Sequence, residues 1–324
     1  MPRSPRAAAT AVLAFGLVAA APAPGSEPVV TDARVVAHFD LAAGRTPENI
    51  ALERDGSADL TFASARQVAR VAPDGRTRVL ATLPAVADPA TPLVGSAVVT
   101  GIARAQDGTL YVNYATGTAA TGIWRLSPTG GAPERIAALP ADGLPNGLAL
   151  DERRGVLYAA DSVRGTVWRV PRAGGTATAW AVGEALEPLR APSASGFGAN
   201  GIKVHRDAVW VSHTGRGALL RIPVGADGAA GPVETRATGL EGIDDFAFPG
   251  QGRSVLAALN SGSRVVLVRP DGAVVTVLTA RDGLSNPTSV AVRGRTVYVP
   301  SAAYSTGRDP NLLLARLRQL VDHR

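Results

Sequence analysis

The stretch Pro145-Asn146-Gly147-Leu148-Ala149 is followed by Val156-Leu157-Tyr158-Ala159 and then by Gly165-Thr166-Val167-Trp168-Arg169-Val170. The hairpin Arg172-Ala173-Gly174-Gly175 comes next. Short alternating runs separated by Gly-rich turns predict antiparallel strands. The opening motif recurs as Pro47-Glu48-Asn49-Ile50-Ala51, Val99-Thr100-Gly101-Ile102-Ala103, Ala199-Asn200-Gly201-Ile202-Lys203, Ile243-Asp244-Asp245-Phe246-Ala247 and Pro287-Thr288-Ser289-Val290-Ala291. Its apolar anchors, Ile50, Ile102, Leu148, Ile202, Phe246 and Val290, are spaced 44 to 54 residues apart.

Six copies at this period, each carrying about four strands, predict an all-β chain. The architecture expected is a six-bladed β-propeller of four-stranded antiparallel blades spanning 33–318. The sixth copy is short and ends at Leu312 to Leu317, while Ala33 to Phe39 precedes the first copy without a repeat of its own. That segment is expected to supply the outer strand of the last blade, so that the ring is closed by N- and C-terminal strands and sheet edges are removed. The long links Val86 to Val98 and Gly183 to Gly198 should hang over the face where the inner strands begin.

Composition narrows the function. The chain has 324 residues with 36 Gly, 24 Pro and 46% hydrophobic residues, a globular profile. It has no cysteine, which excludes disulfides, thiolate metal sites and a cysteine nucleophile. Its net charge of +6 comes from scattered arginines, with Lys203 the sole lysine. No basic stripe of the kind nucleic acid requires is present. Arg3 and Arg6 followed by the apolar run Ala7 to Ala20 read as an export signal over 1–20, too short to span a bilayer comfortably. A flexible segment over 21–32 and a tail over 319–324 complete the expected organisation. The mature protein is expected to be secreted or periplasmic, without nucleic acid or membrane as partner, monomeric, and acting on a small molecule.

Two residues before each anchor stand Glu48, Thr100, Asn146, Asn200, Asp244 and Thr288. In a propeller these are equivalent positions around one axis, and every one is an oxygen donor. Two carboxylates and two carboxamides, with neither imidazole nor thiolate, suit a hard cation. Turn preference would explain Asn, Asp or Thr singly. It does not explain Glu48, nor two converging acids without a counter-ion. The metal ligands expected are Glu48, Asn146, Asn200 and Asp244. They would hold one divalent cation, calcium by preference, with zinc, magnesium and manganese left open. A second ring after the second strands contains Ser64, Tyr114, Asp161, His213, Leu259 and Ser301. Tyr114, Asp161, His213 and Ser301, with Thr100 and Thr288, are the substrate-pocket candidates. No nucleophile elbow, phosphate loop or dinucleotide fingerprint is present.

Over about residues 30–318 the chain resembles the senescence-marker-protein/gluconolactonase family of six-bladed propellers, related to diisopropyl fluorophosphatase and the paraoxonases. The resemblance rests on Pro47-Glu48-Asn49, Pro145-Asn146-Gly147-Leu148, Ala199-Asn200-Gly201-Ile202 and Asp244-Asp245-Phe246. It implies a catalytic divalent cation on Glu48, Asn146, Asn200 and Asp244, and hydrolysis of a lactone or related ester. Asp244 or Asp245 would be the general base. The histidine dyad associated with paraoxonases is not found. The opposing reading is a non-enzymatic, NHL-type propeller that binds a peptide or glycan on the same face.

Overall fold

A computed structural model describes residues 29–190 and 195–318. The expected export signal, most of the segment 21–32 and the tail 319–324 lie outside the described residues. Six four-stranded antiparallel sheets make up the fold, and a single 3-10 turn, Ala280–Asp282, is the only helical element described. The inner strands of blades one to five are Pro47–Leu52, Val98–Arg104, Pro145–Asp151, Ala199–His205 and Ile243–Ala247. Blade six begins with the short strand Ala291–Arg293.

The ring closes as the sequence implies. Blade six runs Ala291–Arg293, Thr296–Ser301 and Asn311–Leu317, and its outer strand is Val30–His38 from the other end of the chain. Val35 faces Leu313 and His38 faces Asn311 in antiparallel register. This strand starts three residues before Ala33, so Val30 to Asp32 belong to it.

The hydrophobic core is divided among the joins between blades. Tyr158, Val167 and Leu186 of blade three pack with Ile202, Val211 and Leu220 of blade four. Val68 and Leu83 of blade one pack with Ile102 and Val112 of blade two. Leu60 and Phe62 of blade one meet Tyr298 and Leu312 of blade six. Each blade buries both faces against neighbours, which is why its middle strands carry apolar residues on both sides. At the axis the packing changes character, because the inner strands come too close for large side chains. A Cβ on Gly101 would lie 2.4 Å from the Asn146 carbonyl oxygen, and one on Gly147 would lie 2.5 Å from that of Asn200. Glycine at these two positions is a condition of ring closure, over and above any turn preference.

Candidate functional site

The inner strands carry a register irregularity at the place the repeat singled out. Pairing shifts between Pro47 and Asn49, Val99 and Ile102, Pro145 and Leu148, Ala199 and Ile202, and Ile243 and Phe246. Glu48, Thr100, Asn146, Asn200 and Asp244 therefore sit in bulges, which re-aim side chains and interrupt the ladder. The carbonyls freed by the bulges are taken up by hydroxyls and amides of the preceding blade. Thr61 Oγ1 donates to Thr100 O at 2.6 Å, and Asn113 Nδ2 to Asn146 O at 2.9 Å. Ser162 Oγ donates to Ala199 O at 2.8 Å, and Ser212 Oγ donates to Asp244 O.

These five re-aimed residues line one cavity of about 730 Å³. Around them the cavity has a polar wall of Ser64, Thr214 and Asn260 and an apolar one of Val98, Leu144 and Phe197. Leu93 and Val94 from the first long link, Ser195 from the second and Tyr304 from the last blade complete the mouth.

Three acids, Glu48, Glu241 and Asp244, and one cation, Arg216, line this space, and two of the acids stand where the inner strands begin. Glu48 is buried, and its Oε2 accepts the Tyr304 hydroxyl. Asp244 is partly buried, and its Oδ2 accepts Asn260 Nδ2 at 3.2 Å. No arginine or lysine among the described residues makes an ion pair with either. Burial raises the Glu48 carboxyl to about 7, with Asp245 adding to the rise and the Tyr304 hydroxyl opposing it. Burial likewise raises Asp244 well above the carboxylate range, reinforced by Glu48 and Asp245 and opposed by Asn200 and Asn260. Tyr304 is pushed upward by burial of its hydroxyl and by the two nearby carboxyls.

The donor set has spare oxygens. Asn200 gives its Nδ2 to Thr214 Oγ1 at 2.8 Å, which leaves Oδ1 uncommitted. The Asn146 side chain has no hydrogen-bond partner among the described residues, and neither does Glu48 Oε1 or Asp244 Oδ1. Two uncompensated carboxyls and two carboxamides, each with a free oxygen on one cavity, fit a hard divalent cation. No group of three or more His, Cys, Asp or Glu residues suited to a metal occurs among the described residues, so the fit rests on a mixed acid–amide set.

Asp245 lies one residue from the cavity but does not line it. Its carboxylate accepts Lys203 Nζ at 2.6 Å, Ser289 Oγ at 2.7 Å and Asn49 Nδ2 at 3.1 Å. Asn49, Asp245 and Ser289 occupy the position that is glycine in blades two to four, so three polar side chains fill the axis that three glycines leave open. The Asp245 Oδ1 atom lies 2.4 Å from where a Gly201 Cβ would stand.

The second ring is not brought to the cavity, apart from Ser64. Tyr114 is buried against Trp124 and gives its hydroxyl to Pro84 O at 2.6 Å. Asp161 holds its own turn and the next link, accepting from Leu144 N at 2.9 Å, Arg164 N at 3.1 Å and Trp168 Nε1 at 3.2 Å. His213 is fully buried. Its Nδ1 accepts from Arg216 N at 3.1 Å and its Nε2 donates to Glu187 O at 2.8 Å, an arrangement of the neutral ring, and burial lowers its pKa. Ser301 accepts from Ser285 N at 3.2 Å, and Thr288 Oγ1 donates to Pro47 O at 3.0 Å across the closure. Thr100 lines the cavity while its hydroxyl donates to Pro145 O at 2.7 Å. Tyr304 is the residue that repeat reasoning missed. It stands in the link between the second and third strands of blade six, Ser301 to Asn311, which is longer than the corresponding links of the other blades.

An all-β ring of six blades with an acid- and amide-lined cavity where the inner strands begin is thus the class of protein defined here. No protein-family model matches the sequence, and no curated protein matches it. Solved structures do match in fold. Regucalcin from Agrobacterium tumefaciens, described as calcium-binding, aligns at a TM-score of 0.63 and 16% identity, over 91% of this chain and 98% of that one. A gluconolactonase from Xanthomonas campestris aligns at 0.60 and 17% identity, over 92% and 99%. Virginiamycin B lyase from Staphylococcus aureus aligns at 0.54 and 13% identity, over 89% and 100%. The resemblance to gluconolactonase-like propellers suggested by the sequence holds at the level of the fold.

Proposed function

We propose that this protein is an exported, divalent-cation-dependent hydrolase of a lactone or related ester. One observation carries the reading: Glu48 and Asp244 open on the same cavity, with no ion pair to either among the described residues, beside the free oxygens of Asn146 and Asn200. Those four residues would hold the cation, and calcium suits them best. When bound, it would supply Lewis-acid polarisation of the substrate carbonyl. Asp244 is the proposed general base for water, its Oδ2 steadied by Asn260 and its Oδ1 free. Asp245 is the poorer candidate, since Lys203, Ser289 and Asn49 already occupy its oxygens. The Tyr304 hydroxyl gives its one proton to Glu48 Oε2 and so holds that carboxyl at the cavity. Leu93, Val94 and Phe197 at the mouth offer an apolar surface to a substituent on it.

The calcium-binding description of the regucalcin neighbour and the gluconolactonase neighbour support this choice among reactions. The lyase neighbour favours it less. That structure is of a variant made catalytically inactive by a His-to-Ala replacement, whereas no described histidine here lines the cavity. Export rests on Arg3, Arg6 and the apolar run that follows them. The test is metal analysis of the purified protein together with a lactone and arylester panel, with and without chelator. Turnover that chelator abolishes and calcium restores is expected. A fully metal-loaded protein that hydrolyses nothing on the panel would make the peptide- or glycan-binding module the better reading.

A further inference from the structure

A second cavity lies at the far end of the blade-four inner strand. That strand starts beside Asn200 and ends at His205, a rise of about 20 Å. The cavity, about 220 Å³, is lined by His205, Arg206, Trp210, Arg221, Arg236 and Arg253. Trp210 and Arg221 are cross-strand neighbours in blade four, and Arg236 follows on that blade's outer strand, Glu234–Ala237. His205 and Arg206 form the turn after the inner strand. Arg253 reaches in from blade five, just before the strand Val255–Leu259. The site is therefore built at a join between blades.

Charge is unbalanced here. Four guanidinium groups meet one carboxylate: Glu234 accepts from Arg221 Nη1 at 3.0 Å and lies 3.8 Å from Arg236 Nη1. Arg206 donates to the Gln251 carbonyl, and neither it nor Arg253 makes an ion pair among the described residues. Some arginines elsewhere do have acid partners. Arg70 has Glu53 and Asp59, and Arg172 has Asp107 and Glu152.

An independent observation points to a ligand. Trp210 is 5% exposed, forms part of the cavity wall, and its Nε1–H has no hydrogen-bond partner among the described residues. Buried donors in native proteins nearly always find an acceptor. His205 does not serve, because its ring is stacked on Phe248 at 3.8 Å and its Nε2 is spent on the Gly252 carbonyl at 2.9 Å. No described residue supplies an acceptor, and the surrounding charge favours an anion.

We propose that this cavity binds a small oxyanion of the phosphate class, through Arg206, Arg253 and the Trp210 N–H. Planar guanidinium forks match phosphate oxygens two at a time, and a doubly charged tetrahedral anion offers more acceptors than a carboxylate. The volume admits a phosphate group with a small substituent and is too small for a polymer segment. The proposal does not depend on the hydrolase reading.

The test uses the metal-loaded mature protein, titrated with inorganic phosphate at constant ionic strength held with sodium chloride. Calorimetry and tryptophan fluorescence follow binding, with sulfate and glycerol phosphate as parallel arms. Saturable binding of one phosphate per chain is expected. Arg206→Ala and Arg253→Ala, both at exposed positions, should each weaken it about tenfold or more while melting stays unchanged. Trp210→Phe keeps a ring in the wall and should remove the fluorescence response with several-fold weaker binding. Tighter binding of glycerol phosphate assigns the site to a phosphate ester, and tighter binding of orthophosphate assigns it to the free ion. Binding no stronger than chloride competition, or equal in the wild type and the Arg206→Ala/Arg253→Ala double variant, overturns the proposal.

Discussion

Lys203 Nζ donates to Asp245 Oδ1 at 2.6 Å across the join between blades four and five, pairing the chain's one lysine with a fully buried acid. Nearby, Glu48 and Asp244 have no such partner. Removing Lys203 would leave three acids near the axis without a counter-charge. Breaking one partner of a buried pair costs about 3–5 kcal/mol, and the partial exposure of Lys203 places it at the lower end. Lys203→Met is therefore expected to lower the urea-unfolding free energy by about 3 kcal/mol. Arg125→Met, which breaks the exposed pair with Glu134, should cost about 1 kcal/mol or less. Equal losses in the two variants would show that the axial pair has no special structural role.

The same geometry separates two neighbouring aspartates. Asp244→Asn should weaken calcium binding at least tenfold in equilibrium dialysis and abolish turnover, because a carboxylate on the cavity is lost. Asp245→Asn should retain the metal and chiefly lower stability. If Asp245→Asn instead leaves melting untouched and cuts kcat by about 10²–10⁴, the base has been assigned to the wrong aspartate.

Much of this arrangement could be read from the sequence, and what could not has a physical cause. The repeat fixed the blade count and the equivalence of Glu48, Asn146, Asn200 and Asp244, since period and anchors survive in linear order. Closure by the strand from Val30 followed from a copy too short by one strand. The repeat did not say which side of the pleat a residue faces. Tyr114, Asp161, His213 and Ser301 end second strands as expected, but they are turned into the joins and taken up by backbone groups. The bulges that aim the inner ring are a pairing feature visible only when both strands are placed. Tyr304 belongs to the longer blade-six copy of a link whose extra residues have no equivalent in the repeat, and nothing in its surroundings marks it. The glycines at 101, 147 and 201 have a cause that linear sequence does not display, the approach of the next blade.

Proton and cation compete for the same carboxyls, which gives a pH test with a definite sign. Glu48 has its pKa raised from 4.5 to about 7 in the folded chain. A group raised on folding binds more protons in the native state, so its stabilising contribution is complete below pH 4.5 and is lost as pH rises through about 7. Asp244 acts in the same direction. In chelator, this pair should make stability fall across that window. Calcium should reverse that part, because its affinity grows as the protons leave. The measurement is the difference in melting temperature with calcium and with chelator from pH 5 to 8, which subtracts His205 and His213. A calcium-induced shift that stays flat or shrinks as pH rises would count against Glu48 and Asp244 as ligands.

The Tyr304 hydroxyl donates directly to the candidate ligand Glu48, as Asn260 does to Asp244. Tyr304→Phe removes only that hydroxyl. Because that hydroxyl orients Glu48, its loss should lower calcium affinity or kcat by about 10- to 100-fold. A loss confined to KM, with kcat preserved, would reduce Tyr304 to a wall of the pocket.

Leu93 adopts φ 66, in the left-handed region, while 56% of its surface is exposed at the cavity mouth, next to Val94 at 40%. Such a backbone costs a side-chain-bearing residue about 1–2 kcal/mol, and an exposed leucine recovers little of that through packing. Gly196 of the second link has room for it, since a Cβ there would lie 3.0 Å from Leu93 Cδ2. A strained apolar side chain held over an opening makes sense if a ligand covers it, and a substrate with an aliphatic substituent would. Burial of each added methylene is worth about 0.8 kcal/mol, close to fourfold in affinity. KM for a series of lactones should therefore fall several-fold per methylene until the rim is filled. Leu93→Gly should relieve the backbone, leaving the melting temperature equal or higher, and should flatten that series with kcat for the shortest lactone unchanged. A wild-type enzyme indifferent to chain length would remove the rim from substrate recognition. A variant that melts lower would show that Leu93 serves the fold instead.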